Sequence, residues 1–300
     1  MEIEELIYKR LRDCTELAEI LTTYQDTPAV FYQTAPDDKK PEWGQKSQYP
    51  RVVFDLDKQA DSDRKNQGTL AVVVFCEKNG TEPEEIESIV KRHLQNVLVK
   101  PDGNFPYCFA WAKTEGFEMG AAAGFQRQVI GLEIRFDVLE YPMQQTTDPD
   151  PVMALNCYIE DEYPDICVVG HTHMDSYTEV GAKAPAFYVR FMRAEQESIT
   201  NTVVWINATL AIHVINPDPE YRLKVMMDLA NKIARCGEII MLDGSPMRPV
   251  RLTVDNTTDY LRTGQINVTM YYGLLRWRAQ PHKIVQVSTN IEIAKEEQNG

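Results

Sequence analysis

The chain carries one pattern of sequence twice, and this repeat constrains its fold more than any single residue does. A proline followed by an apolar run occurs at residues 28–32 and again at 164–168, an offset of 136. Five further pairs have offsets between 135 and 141: residues 50–54 with 185–189, 69–75 with 209–215, 83 with 219, 102–103 with 243–244, and 130–136 with 266–272. The period is much too long for a solenoid repeat, so it indicates the tandem duplication of a whole domain.

Composition sets the broad class. The 300 residues divide into two domains of ordinary size, and 43% hydrophobic with 25% charged residues is typical of a soluble globular protein. No apolar run reaches the roughly 18 residues of a membrane helix. The acidic stretch Met1–Glu5 is the reverse of a signal peptide. Six cysteines without a C-x-x-C pair are predicted to be free and reduced, as in a protein made in the cytoplasm.

The net charge of −14 is concentrated in the first half. Residues 1–150 hold 17 lysines and arginines against 27 acidic residues, a net charge of −10. A surface that grips nucleic acid is normally basic, so this balance argues against such a protein. Two interpretations stay open: the charge serves solubility, or an acidic wall borders DNA that must pass without sticking.

The spacing of apolar residues predicts an α+β fold of two homologous domains, each a mainly antiparallel sheet packed on helices. The predicted divisions are a first domain at 1–140, a linker at 141–151, a second domain at 152–278 and an extension at 279–300. Helices are predicted at 3–21, 83–98, 152–160 and 219–234, and strands at 51–56, 69–76, 129–139 and 265–276. Thr81 with Glu84 matches a capping box before the second of these helices.

Two loops of the first half are candidate functional segments. Residues 57–68 are polar apart from Ala60 and Gly68 and long for a hairpin, and their acids Asp57, Asp61 and Asp63 are predicted either to line a bore or to face solvent. Trp43 lies in a proline-rich loop, where an exposed tryptophan would anchor an interface.

The order of elements resembles that of the tail terminator, or tail completion, proteins of tailed bacteriophages. The resemblance rests on the leading amphipathic helix, the Ala35-Pro36 segment, the strand over Tyr49–Leu56, the polar loop, the Val-rich strand and the helix opened by Pro83. It covers residues 3–140 and, more weakly, 152–278. Here two such units are fused.

The resemblance implies a structural role and a set of partners. Proteins of that family look like small α+β subunits that form a six-fold ring on the tail tube, stop its growth and meet the head-side connector. It implies a virion protein assembled in the host cytoplasm as a homo-oligomer of three or six chains. Its partners would be the tail tube protein, the head–tail connector protein and genomic DNA passing through the lumen. No enzymatic activity, cofactor or metal is expected.

The C-terminal extension has no counterpart in the first half. Val285, Val287, Ile291 and Ile293 share one parity, as in a half-buried strand. The pattern predicts a strand that either pairs with an exposed sheet edge, of a neighbouring subunit or of the next ring, or folds back on its own second domain.

Two alternative functions follow from the sequence. A neck connector or a tail tube subunit is a related ring-forming part. A metal-dependent hydrolase would use His171, His173 and Asp175 of the segment Gly170–Asp175, which resembles one metal-binding piece of calcineurin-like metallophosphoesterases. The upstream motifs of that family are absent from the sequence, and so are a serine elbow and a P-loop.

Overall fold

The protein contains two six-stranded sheets, each with helices on one face. The computed structural model describes residues 1–43, 47–58, 68–103, 105–120, 128–144, 148–171, 185–256 and 259–276. None of the helices in these ranges is both long enough and apolar enough to span a membrane.

The first half begins with helices and then forms a sheet around two long central strands. Its elements are α1 (Ile3–Arg12), α2 (Thr15–Ile20), β1 (Thr23–Tyr24), β2 (Thr27–Pro28), β3 (Val30–Tyr32), β4 (Arg51–Lys58), β5 (Gly68–Glu77), α3 (Pro83–Leu94), β6 (Leu98–Val99), β7 (Tyr107–Met119) and β8 (Val129–Glu140). The strand order is β3-β4-β5-β8-β7-β6. Only β3 and β4 are parallel; every other neighbouring pair is antiparallel.

The second half repeats this topology. Its elements are α4 (Pro151–Glu162), β9 (Cys167–Val168), β10 (Ala186–Ile199), β11 (Val203–Ile215), α5 (Pro219–Arg235), β12 (Ile239–Ile240), β13 (Pro246–Val254), α6 (Tyr260–Thr263) and β14 (Ile266–Leu275). The order β9-β10-β11-β14-β13-β12 matches the first sheet strand for strand, and the parallel pair is again the first, β9 with β10. The predicted α+β class with two homologous halves is confirmed.

Each half has its own core between one face of its sheet and the helices that cover it. Phe54, Val72 and Phe136 of the first sheet meet α1 and α3 there. Phe187, Ile212 and Val268 of the second sheet meet α4 and α5. Buried and half-buried residues alternate along all of β5 and along β14 from Ile266 to Gly273, as the period of a strand requires.

The leading helix is not continuous, so the prediction of one helix over 3–21 is wrong. The chain leaves helical geometry at Asp13, and Cys14 adopts an extended conformation with ψ 113°. The Cys14 thiol accepts a hydrogen bond from the Leu17 amide at 3.5 Å, which caps α2. The break separates two short helices whose apolar faces both stay on the core.

The capping box predicted for α3 is also wrong. The helix begins at Pro83, and the residue before it, Glu82, makes no side-chain cap hydrogen bond. The helix ends at Leu94 rather than residue 98, because Leu98 and Val99 form β6. In the second half Asp218 does cap α5, since its carboxylate accepts from the amides of Glu220 and Tyr221 at 3.0 and 3.1 Å.

The sheet registers correct one predicted correspondence between the halves. Val72 pairs with Ile134, and Ile212 pairs with Ile266. Because Val72 and Ile212 are equivalent at the expected offset of 140, Ile134 corresponds to Ile266, an offset of 132. The sequence instead matched Ile130 with Ile266. The two matches differ by four residues. An even shift leaves the alternation of apolar and polar residues along a strand unchanged, so the sequence pattern does not detect it.

Candidate assembly surfaces

The two halves meet through a third apolar cluster that belongs to neither core. The first half contributes Leu98 of β6, Cys108 of β7 and Leu139 of β8, all on the sheet face that points away from its helices. The second half contributes residues around the parallel edge of its sheet: Val169, Ala186, Tyr188, Ile215 and Leu261. The outer faces of the sheets therefore pack together, and each half uses a different side of its face.

Hydrogen bonds reinforce this joint. The Tyr141 hydroxyl donates to the Leu261 carbonyl at 2.9 Å, and the Tyr188 hydroxyl donates to the Pro142 carbonyl at 2.8 Å. Arg262 forms an ion pair with Asp137 of the first half. Because the phenol of Tyr141 is buried, its pKa lies well above its ordinary value, so it is a hydrogen-bond donor at any physiological pH.

His213 is buried at the centre of the joint. It is 1% exposed, and its ring makes edge or tilted contacts with Tyr141 at 5.7 Å and Tyr188 at 5.4 Å between ring centres. Neither ring nitrogen has a hydrogen-bond partner in the described part of the chain. Burial, helped by the charge of Arg190, lowers the pKa of His213 to about 3, although nearby backbone groups of Tyr260 and Leu261 act weakly the other way.

Trp43 lies inside the first half. It is 2% exposed, its ring contacts Tyr24 and Phe31 at 4.8 and 5.7 Å between centres, and Arg51 lies over it. The indole nitrogen donates to the Asp37 carbonyl at 3.1 Å. This burial argues against the predicted interface role, because the ring fixes its own loop on the outer face of the sheet.

The other sequence-predicted surface residues are largely beyond the described ranges. Asp57 is exposed on the outer face of β4, where its backbone pairs with Thr69. Asp61 and Asp63 lie outside the described residues, and so do Val285, Val287, Ile291 and Ile293. The bore-lining and strand-donation hypotheses therefore stay predictions.

The second half exposes three large apolar side chains that the described residues leave uncovered. Ile240 at the end of β12 is 56% exposed, Leu242 in the following turn is 70% exposed and Val250 of β13 is 56% exposed. On β11 and β14 of the same sheet, Trp205 and Tyr271 stack with their ring centres 4.9 Å apart. Grouped exposed apolar residues mark interaction sites more often than single ones do.

A polar cleft of about 220 Å³ lies on the same outer face of the second sheet. It is lined by Arg193, Thr209, Arg251, Thr253, Asn267 and Thr269. The cleft is open and shallow, and its two arginines give this face positive charge without an acidic residue in its lining. A negatively charged surface would complement it.

Cys14, Glu16 and His93 come together between α2 and α3, a cluster that the sequence did not predict. The Cys14 sulfur lies 3.3 Å from His93 Nε2, and a Glu16 oxygen lies 4.0 Å from the same nitrogen. These are zinc-type ligands. However, Arg92 Nη1 lies 2.8 Å from both Glu16 oxygens, and Arg10 donates to the His93 carbonyl at 2.5 Å. These two arginines are positively charged, so they would repel a metal ion bound at the cluster. The geometry therefore favours hydrogen bonds that link α2 to α3.

Burial keeps two members of this cluster neutral. It lowers the pKa of His93 and raises the pKa of the Cys14 thiol.

We expect His93→Ala to lower the free energy of unfolding by about 1–2 kcal/mol through the lost contact, measured by urea unfolding at pH 7.5. Cys14→Ser should change it by less than about 0.5 kcal/mol, since serine also caps a helix. If EDTA destabilises the unmodified chain as much as His93→Ala does, the cluster is a metal site.

The second half places the same residue types beside its own leading helix. His171 Nε2 lies 2.7 Å from a Glu160 oxygen and 3.9 Å from the Cys157 sulfur. In the segment proposed for a hydrolase, Gly170 and His171 are described, whereas His173 and Asp175 lie outside the described residues. The ligand set of that alternative is therefore not tested.

The joint was missed by the sequence reading, although a signal for it exists. Residues 210–215 are apolar or weakly polar at every position, and both parities are buried. A strand apolar on both faces needs cover on both faces, as in the interior of a layered protein.

Comparison with models of known protein families finds no match to this chain, and comparison with curated proteins finds none either.

Proposed function

We propose that the chain is a non-enzymatic structural protein that forms a ring on the tail of a tailed phage. In this proposal it acts as a tail terminator, which caps the tail tube and joins it to the head-side connector. The observation that carries the proposal is the contact between the two homologous halves. One half uses the β6–β7–β8 side of its outer sheet face, and the other uses the β9–β10–β11 side.

Such a contact is heterologous, because the two partners use different surfaces. Heterologous contacts between like domains repeat until they close into a ring or extend as a helix. The side of the second sheet that corresponds to β6–β7–β8 carries exposed residues in the described part of the chain, among them Arg248 and Val250, so the contact is able to repeat between chains. Three chains would supply six like domains in one ring, which matches a six-fold tube; six chains would form two tiers.

The acidic composition suits a ring around DNA. A net charge of −14 disfavours pairing with phosphates, so genomic DNA would pass through the lumen without being held. The partners in this proposal are the tail tube protein below and the head–tail connector protein above. The site of action is the virion, after assembly in the host cytoplasm.

The purified full chain tests the ring. Native mass spectrometry should find a species of three times 34.4 kDa, about 103 kDa, and negative-stain images should show rings with six similar lobes. A six-chain mass with rings would favour two tiers. A monomer at tens of micromolar, with no rings in the images, would overturn the proposal.

A second measurement separates a terminator from other ring-forming parts. Purified tail tube protein that polymerises in vitro should stop growing when the ring is added, because a terminator occupies the growing end. Rings that bind tubes but leave their growth unchanged would favour a neck connector instead.

A further inference from the structure

Two arginines and two threonines form one row across the outer face of the second sheet. The row crosses β10, β11, β14 and β13, since Arg193 pairs with Thr209, Thr209 with Thr269, and Thr269 with Arg251. Adjacent strands lie about 4.8 Å apart, so the arginines lie at the two ends of a row about 14 Å long. Thr253 and Asn267 pair in the next row, and all six residues line the polar cleft.

Every side chain that lines the cleft is able to donate a hydrogen bond. The hydroxyls of Thr209 and Thr269 lie 3.4 Å apart, so at most one of their two hydrogens is used between them. Arg193 and Arg251 are exposed, and neither has a hydrogen bond or an ion pair with the residues that the structure describes. A guanidinium presents five N–H groups in a fixed fork that matches the oxygens of phosphate and carboxylate groups. The donors of the cleft therefore suit an oxyanion.

A third arginine adds positive charge beside the cleft. Arg190 lies in the same row as Asn267, on the other side of β11. Its Nη2 donates to the carbonyl of Arg262 at 3.1 Å, and none of the described residues offers it a carboxylate. The acids of β10, Glu195 and Glu197, are outside the lining. Like charges on one patch repel each other, and a bound anion would offset that repulsion.

The fold itself does not require these arginines. The equivalent row of the first sheet is found through Thr69, which matches Thr209 at the offset of 140. That row consists of Asp57, Thr69, Asp137 and Ala110. Asp57 thus occupies the place of Arg193, and Ala110 occupies the place of Arg251. The same row is acidic in one half and basic in the other, so its positive charge is particular to the second half.

The number of donors favours a phosphate over a carboxylate. A carboxylate has only two oxygens, whereas the cleft offers two guanidinium groups, three hydroxyls and one amide. The described lining contains no aliphatic or aromatic residue, so it has nothing that would recognise a base or an acyl chain. The cleft is therefore suited to a small compound that is recognised through its phosphate group.

The charge of the whole chain argues against DNA as the ligand. Duplex DNA carries phosphates along its entire length, and a chain with a net charge of −14 would repel those that lie outside the cleft. A small dianion responds mainly to the local charges, because physiological salt screens exposed charges beyond about 8 Å. A small phosphate thus agrees both with the arginines of the cleft and with the acidic composition of the chain.

We propose that the cleft binds a small phosphate dianion, either free phosphate or the end of a small phosphomonoester, between Arg193 and Arg251 and over the Thr209–Thr269 pair. The site lies within one chain, so this inference goes beyond the proposed ring and does not depend on it. Because the cleft is open and leaves part of the ligand in water, the expected Kd is on the order of 1 mM.

Titration calorimetry of the full chain with inorganic phosphate, at pH 7.5 and constant ionic strength, tests the site. The unmodified chain should bind one phosphate per chain. Arg251→Gln should weaken binding by about tenfold, and Arg193→Gln with Arg251→Gln should abolish it, because charged donors are lost. Both residues are exposed, so the variants should fold. Arg235→Gln is the matched control: it removes the same charge from an exposed position on α5, on the helical side of the sheet, and should leave the Kd unchanged.

Two comparisons separate a phosphate site from a general attraction of anions. Arg251→Lys keeps the charge and loses the fork, so it should still weaken binding by about threefold. Acetate should bind at least about tenfold more weakly than phosphate, since it has fewer oxygens for the same donors. Acetate that binds as tightly as phosphate would overturn the proposal. So would phosphate binding that survives in the double variant, equal weakening by Arg235→Gln, or no saturable binding by the unmodified chain up to about 20 mM phosphate, well above the expected Kd.

Two further ligands identify the source of the phosphate. Glycerol phosphate that binds more tightly than inorganic phosphate would assign the site to a phosphomonoester, and the reverse would assign it to free phosphate; both results support the site. A short DNA duplex that binds more tightly than phosphate, and loses this binding in the double variant, would assign the cleft to nucleic acid and overturn the proposal.

Discussion

Replacing His213 with valine should make the protein markedly less sensitive to acid. Valine stands at the equivalent position of the first half, Val73, so the substitution places there a residue that the same fold already accepts. At pH 7.5 the variant should be as stable as the unmodified chain or more stable by about 1 kcal/mol, because a buried imidazole without a hydrogen bond is removed.

The direction of the acid effect follows from the lowered pKa. The unfolded chain takes up a proton on His213 near pH 6.5, whereas the folded chain does so only near pH 3. Between these values the unfolded state binds more protons, so stability falls as the pH falls through this window. The slope for one such group is about 1.4 kcal/mol per pH unit, or roughly 2–3 kcal/mol between pH 6.5 and 4.5.

Urea unfolding at pH 7.5, 6.0, 5.0 and 4.5 measures this difference. The free energy of unfolding of the unmodified chain should fall as the pH falls. That of His213→Val should fall less steeply, and the difference in slope should correspond to the uptake of one proton. Thr209→Val is the control, because it adds a valine on the same strand and the same face without removing a titrating group. Equal slopes for the unmodified chain and His213→Val would show that His213 titrates normally in the folded protein.

Gly131→Ala should unfold the first half while leaving the second half folded. A Cβ atom at Gly131 would lie 2.1 Å from the carbonyl oxygen of Val74 and 2.4 Å from the ring of Phe117. The oxygen belongs to the backbone of the neighbouring strand, so it moves only if the sheet does. We expect a loss of about 3 kcal/mol or more in the free energy of unfolding of the first half.

Gly116→Ala is the matched control on the next strand. Its added Cβ would meet Leu132 at 3.7 Å, an ordinary contact, so its effect should be neutral or slightly stabilising. Hydrogen exchange resolved by segment should show lost protection in β5 and β8 of Gly131→Ala and unchanged protection in β11 and β14. Unchanged protection in β5 and β8 would contradict the predicted clash.

The sequence predicted the elements whose signals are local. Pro83 and Pro219 marked the starts of their helices because proline is suited to the first turn. Alternation located β4, β5, β8 and β14 to within two residues at either end. The same alternation misplaced the match of Ile266 by four residues, because only the paired strand fixes a register.

Features that depend on distant contacts were not predictable in this way. The far part of β10, Arg193–Ser198, is polar or charged at every position except Ala194, yet it continues a strand because β11 supplies its hydrogen bonds. Trp43 looked like an interface residue because nothing near it in sequence shows that Phe31 and Arg51 will surround it. The Cys14–His93 contact joins residues 79 positions apart, and no spacing rule relates them.

The covalent link between the halves has a kinetic consequence. In a ring of three chains, three of the six domain contacts are made within a chain, at an effective concentration set by the short connection, and do not depend on dilution. The remaining three join one chain to another: two of them form in bimolecular steps and the third closes the ring, so assembly needs three molecules to meet instead of six. The contact between the halves of one chain and the contact between neighbouring chains would be made by different residues. The contact within a chain could then stay closed while a contact between chains opens, so any opening of the ring would occur between chains.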